Sequence, residues 1–233
     1  MTPGADPFSL LSAFQLTDSL FPSGRYTLSH GLEMFVESGR VHDAESLENV
    51  VRDYVIRSLS ASEGVAVGAA HQATVDHDVD RLVDIDRTLH AMRLPREAWT
   101  NSGRVGRQLI TTGRSLVDSE VLDELEVRVD AGDAVGSSAV VIGAVSAELG
   151  VDRHTAVLAE LYAYAAGLVG AALRLMRLDH VAAQLVLRRL QPAIAEGAAR
   201  ALTTDYRDME AFAPMIDVMQ MQHERSRMRL FAS

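Results

Sequence analysis

The sequence predicts an all-α protein, a single-domain bundle of about ten helices around a central apolar helix. Three observations carry this expectation. Apolar residues recur at i, i+3, i+4 and i+7 over most of the chain. Acidic residues stand where helices would start and glycines where they would stop. No β-branched alternation framed by hairpin turns occurs anywhere. A chain of 233 residues is long for one domain and short for two. It buries roughly 70–75% of the surface exposed by its unfolded form without needing staples.

Residues 1–7 hold two Pro and one Gly and read as a disordered lead-in. The main domain is expected over residues 8–224 and a tail over 225–233. Leu10, Leu11, Phe14 and Leu16 sit near helical spacing, giving a first helix within Phe8–Leu20 that ends before Pro22. Phe21-Pro22-Ser23-Gly24 reads as a stop and turn, since Gly24 admits positive φ. A helix then restarts through TLSHGLEMFV, with polar and glycine residues in its opening turns. Asp43 is placed to cap the next helix, with Glu45 in its first turn. Leu47, Val50, Val51, Tyr54, Val55 and Leu59 mark its apolar face. Further helices are expected over Ser62–Val75 and Asp78–Met92. Pro95 suits the first turn of a long helix reaching about Val117. Asp118–Asp133 is charged, one short helix with a turn at Gly132. Ser137–Leu149 reads as a buried helix closed by Gly150.

Asp152–Arg177 is apolar nearly all round, the mark of a central helix, and Gly167 and Gly170 would admit close neighbours there. Residues 179–202 form an amphipathic helix interrupted or kinked at Pro192. A polar connector, TTDYRDMEAFAP, leads to a last helix over Met215–Glu224.

Composition excludes several classes of function. Acidic residues outnumber basic ones 32 to 22, for a net charge of −10. Nucleic-acid binding, which draws its affinity from neutralised phosphates, is therefore not expected. The alternative of a helical, ligand-responsive DNA-binding regulator with a pocket around the central helix would also need a basic recognition helix, and none stands out. Every basic residue is Arg, so a Walker A lysine is impossible and any basic contact uses the bidentate guanidinium. The absence of Cys removes disulfides and thiolate metal sites. No H-E-x-x-H or G-x-S-x-G is present.

His71 and Asp76-His77-Asp78 are the places where metal ligands could gather, but adjacent helical residues face different ways. No metal or cofactor is expected. His30 and Glu33, at i, i+3, could form an acid–base pair, which is the enzymatic alternative. The N-terminus lacks a basic region followed by an apolar one. The longest apolar run, Leu161–Leu173, has 13 residues, short of the ~18 that suggest a membrane span. A cytoplasmic protein without membrane attachment is expected.

Four segments carry a resemblance. The first is Leu16-Thr17-Asp18-Ser19, Phe21-Pro22-Ser23-Gly24 and Ser29-His30-Gly31-Leu32-Glu33. The second is Ser102-Gly103-Arg104-Val105-Gly106-Arg107-Gln108-Leu109. The third is the buried run V-V-I-G-A-V followed by the apolar helix to Leu175. The fourth is the tail His223-Glu224-Arg225-Ser226-Arg227-Met228-Arg229-Leu230-Phe231-Ala232-Ser233. In this order the four resemble the UreF family of urease accessory proteins, over roughly residues 10–231.

The resemblance implies an all-helical, dimeric, non-enzymatic protein. It implies three partners, UreD (UreH in some species), the GTPase UreG and apo-urease, into which the complex delivers nickel. It further implies that the chain gates or stimulates the GTPase, or lines a route for the metal. An arginine finger from the stripe Arg104, Arg107 and Arg114 is chemically possible. The residues so marked for partner contact are Pro22, Gly24, Ser29, Gly31, Glu33, Arg104, Gly106, Arg107, His223, Arg225, Arg227, Arg229, Leu230 and Phe231. The chain departs from the family pattern at Ser137, where His is usual, and at Asp179-His180, where Gly-Gln is usual. Gly106 inside a helix costs ~1 kcal/mol against Ala, which points to close approach of another backbone.

Overall fold

Aspartates begin many of the helices in the computed structural model, which describes residues 6–226 and 230–231, the side chain of Tyr26 excepted. Asp6 accepts the Ser9 amide at the start of α1, Pro7–Thr17. Asp43 accepts the Ser46 amide at 2.8 Å and opens α3, Ala44–Tyr54. Asp78 does the same for α5, Val79–Ala91, and Asp152 for α9, Arg153–Leu175. Asp179 accepts from both Val181 and Ala182, each at 2.9 Å, at the start of α10, His180–Thr203. Each carboxylate satisfies amides that a helix start leaves unpaired. The remaining helices are α2, Leu32–Glu37; α4, Glu63–Val75; α6, Arg96–Leu116; α7, Glu120–Asp130; α8, Ser138–Glu148; and α11, Pro214–His223. No strand occurs among the described residues, and one hydrophobic cluster draws on almost every helix.

The helix expected to restart at Thr27 does not. Arg25–Thr27 is a single 3₁₀ turn, and α2 begins only at Leu32. His30 and Gly31 between them hold φ of 50° and 84°, two successive left-handed residues that no right-handed helix accommodates. A five-residue π segment, Val55–Leu59, follows α3, so the helix expected to reach Leu59 changes its pitch after Tyr54. Pro192 interrupts nothing, and α10 runs through it.

The centre of the fold is α8, not α9. Every residue from Ser138 to Ser146 is buried, enclosed chiefly by α4 and α6. The α8 start is fixed from outside its own sequence. Asp86 of α5, fully buried, accepts the amides of Val135, Gly136 and Ser137 at 2.6, 3.1 and 2.7 Å. By contrast, α9 buries one face against α10 and α4 and leaves Tyr162 41% exposed. A Cβ at Gly167 or Gly170 would meet nothing within 4 Å, so these glycines do not mark close neighbours. The 13-residue apolar run belongs to this 23-residue helix, which is long and apolar enough to cross a membrane. Half of its most apolar window is buried inside the protein, as suits a helix at the edge of a core.

Candidate functional site

The close approach anticipated at Gly106 lies within the fold. A Cβ built there would fall 1.7 Å from the Gly136 carbonyl oxygen, so α6 and the turn leading into α8 touch backbone to backbone. The arginine stripe of α6 runs along the outside of this contact. Arg104 lies against Gly24, whose φ of 75° ends the Pro22 turn. Two residues marked for partner contact are thus neighbours, although 80 positions separate them in the chain. Arg107 pairs with Asp130 at 3.2 Å, and Arg114 with Asp123 at 2.5 Å and with Glu126. Pro22 itself lines an open surface cleft with Phe14, Leu20, Phe21, Thr112 and Leu116.

A second group assembles where α2, α6 and α11 meet. His223 Nε2 stands 3.0 Å from Glu33 and Nδ1 stands 2.9 Å from Glu97. The ring is 1% exposed, the Glu33 side chain 4%. Each ring nitrogen of His223 thus faces a carboxylate, on opposite edges of one imidazole. The other Glu33 oxygen accepts the backbone N–H of Leu230 at 2.9 Å. Glu224 closes the arrangement by accepting the Glu97 amide at 2.9 Å, an anion at the start of α6, where Pro95 supplies no side-chain cap.

Gly31 is required beside this group, since a Cβ there would lie 2.9 Å from Gln220 Cγ. Ser29 is fully buried in the same segment. Phe231 is buried under the Arg174 guanidinium, 4.1 Å from the ring centroid, whereas Leu230 is 76% exposed. Arg225 is exposed. Arg227 and Arg229 lie outside the described residues.

Glu33 therefore pairs with His223, and the acid–base pair of Glu33 with His30 does not form. The His30 ring packs 4.9 Å from that of Tyr164 beside a cavity of about 60 Å³. Burial, followed by the charges of Arg25 and Arg93, lowers the His30 imidazole to about 4. Burial and the Glu63 carboxylate raise Tyr164 to about 12 and push Tyr54 well up. All three rings are neutral near pH 7. The charges around the cavity are paired. Arg25 forks onto Glu160 at 2.6 and 2.9 Å, and Arg93 meets Glu63 at 3.1 Å. Burial works against the Arg25 charge, but Glu160 outweighs it and raises the guanidinium.

Among the described residues no three His, Asp or Glu side chains gather to hold a metal ion. His71 instead bonds the Val151 carbonyl at 2.7 Å. The arrangement joins chain segments through charge-assisted hydrogen bonds. Sequence reading missed Glu97, Glu160 and Arg174. Glu97 had a local signal as an acid in a first turn after Pro95, whereas the other two had none.

A sequence model described as UreF matches residues 41–191. Three relatives described as urease accessory protein UreF align over nearly the full length. The protein of Bacillus sp. (strain TB-90) is 34% identical, covering 96% of this chain and 99% of its own. That of Trichodesmium erythraeum (strain IMS101) is 30% identical, covering 96% of each. That of Lachnoclostridium phytofermentans is 30% identical, covering 96% of this chain and 98% of its own.

Proposed function

The chain belongs to the UreF family of urease accessory proteins, and from that premise we propose that it acts as a non-enzymatic maturation factor. In this reading it joins UreD (UreH) to the GTPase UreG, gates or stimulates that GTPase, and so helps insert nickel into apo-urease. The observation that carries the reading is the tail. A buried imidazole–carboxylate group holds the Leu230 amide while the Leu230 side chain faces solvent. Arg225 stands exposed nearby in sequence, and Arg with an apolar anchor is common interface chemistry. We assign this tail, residues 225–233, to contact with UreD.

The α6 stripe, with the adjoining Pro22–Gly24 turn, is the second surface and is assigned to the GTPase. Arg107 and Arg114 already serve carboxylates, whereas Arg104 has no carboxylate partner among the described residues, which makes it the one of the three suited to act as a finger. The half of α9 left uncovered supports a second copy of the chain, giving a homodimer in the cytoplasm.

The test is reconstitution. Urease subunits and the other accessory proteins are coexpressed with and without this chain, and urease activity is measured. Activity that depends on the chain, and is lost with Leu230→Glu in a folded protein, supports the reading. Equal activity without the chain overturns it.

A further inference from the structure

We propose that Glu33 is the positioning residue for the carboxy-terminal segment, setting which of its side chains is shown to a partner and which is buried. This rests on the reading of the tail as a contact surface, and it assigns that surface a support inside the fold.

The geometry is specific. Glu33 is 3% exposed and its two oxygens are divided between two tasks. One meets His223 at 3.0 Å and the other takes the Leu230 amide at 2.9 Å. Glu97 grips the opposite nitrogen of His223 at 2.9 Å, so the ring cannot rotate without breaking one of two charge-assisted bonds. Glu33 is thereby held from the side of the fold opposite the tail. A backbone amide is common to every residue but proline, so this bond holds the segment while the side-chain contacts beside it fix the register. Moving the segment by one residue in either direction would take Phe231 out of its buried place. The aromatic ring would then leave the Arg174 guanidinium, from which it stands 4.1 Å, and an attraction available only to a ring would be lost. Amide and ring together select one register, in which an exposed Leu230 side chain is presented to a protein surface carrying an apolar pocket.

Hydrogen–deuterium exchange of the full chain tests this, with mass spectrometry reading the peptide that covers residues 226–233. In Glu33→Ala, exchange of that peptide should rise about tenfold or more, as expected for losing a hydrogen bond to a charged acceptor, while peptides of α4 and α8 stay unchanged. Glu33→Gln keeps one acceptor oxygen for the Leu230 amide and can turn its NH2 to a neutral His223 Nε2, and should retain protection. Should Glu33→Ala loosen the whole fold, Leu230→Pro removes the same donor from the tail side and leaves α2, α6 and α11 intact. It should release the peptide, whereas Leu230→Ala, which keeps its N–H, should not. Tail exchange unchanged in Leu230→Pro overturns the proposal. Capture of UreD, measured in parallel, separates the two claims. If Leu230→Pro frees the tail and Leu230→Ala still captures UreD fully, the positioning role stands and the tail's assignment to UreD falls.

Discussion

His223 and Glu33 are 190 positions apart in the chain and 3.0 Å apart in the fold. Their contact ties the last helix to the second, and through Glu97 to the sixth. Replacing the imidazole by a methyl group would leave two carboxylates facing a space without a donor. His223→Ala should therefore cost about 3–5 kcal/mol, as for a buried ion pair with one partner removed. Urea unfolding followed by circular dichroism measures this. A loss below about 1 kcal/mol would show that the group is not held as described.

Gly106 and Gly167 should answer alanine in opposite directions. At Gly106 the added carbon would lie 1.7 Å from the Gly136 carbonyl oxygen, and backbone must move. Gly106→Ala should lose at least ~3 kcal/mol, the upper part of the overpacking range. At Gly167 nothing lies within 4 Å, and Gly167→Ala should gain about 0.5–1 kcal/mol from helix propensity. The two midpoints measured side by side check both.

Stability should fall in mild acid because of His30. Its folded value is lowered to about 4 from the ordinary 6.5. Between those values the unfolded chain holds more protons at this position than the folded one, so lowering the pH favours unfolding. Stability is complete above about 6.5 and falls as pH drops towards 4, by at most ~3 kcal/mol. His30→Asn, which tolerates the left-handed backbone at φ 50°, should lose this share of the pH dependence. Identical pH profiles for the two proteins would remove His30 as its source.

Arg104 and Arg107 should be dispensable for folding. Arg107 makes an exposed pair with Asp130, and such pairs contribute at most ~1 kcal/mol. Arg104→Ala with Arg107→Ala should therefore leave the unfolding midpoint nearly unchanged while urease activation in the reconstituted system falls. Unchanged activation would reduce the stripe to a solvated surface.

Much of the fold was legible because helix starts and stops are local chemistry. Asp43, Asp78, Asp152 and Asp179 announce their helices, and Gly24, Gly132 and Gly150 adopt the positive φ expected of them. Gly106 was legible for a different reason, since a costly glycine inside a helix implies something pressed against it. The segment from Thr27 to Gly31 misled because a positive φ at His30, a residue other than glycine, leaves no local mark in the sequence. The rank of α8 over α9 was hidden because a periodic pattern counts apolar residues and does not say where the neighbours stop. Glu33, His223 and Leu230 each stood out alone by family pattern. Their convergence, like that of Arg25 and Glu160, depends on pairing across more than 130 positions.

The contact of Gly106 with Gly136 bears on how the α6 stripe would respond to load. Where helices meet through side chains, rotamer changes absorb small displacements. At Gly106 no side chain intervenes, so α6 and the turn leading into α8 meet there with no rotamer to yield. A protein docking on Arg104 or Arg107 presses within a few residues of that joint. Its push would meet the buried core first at the point where the two backbones touch.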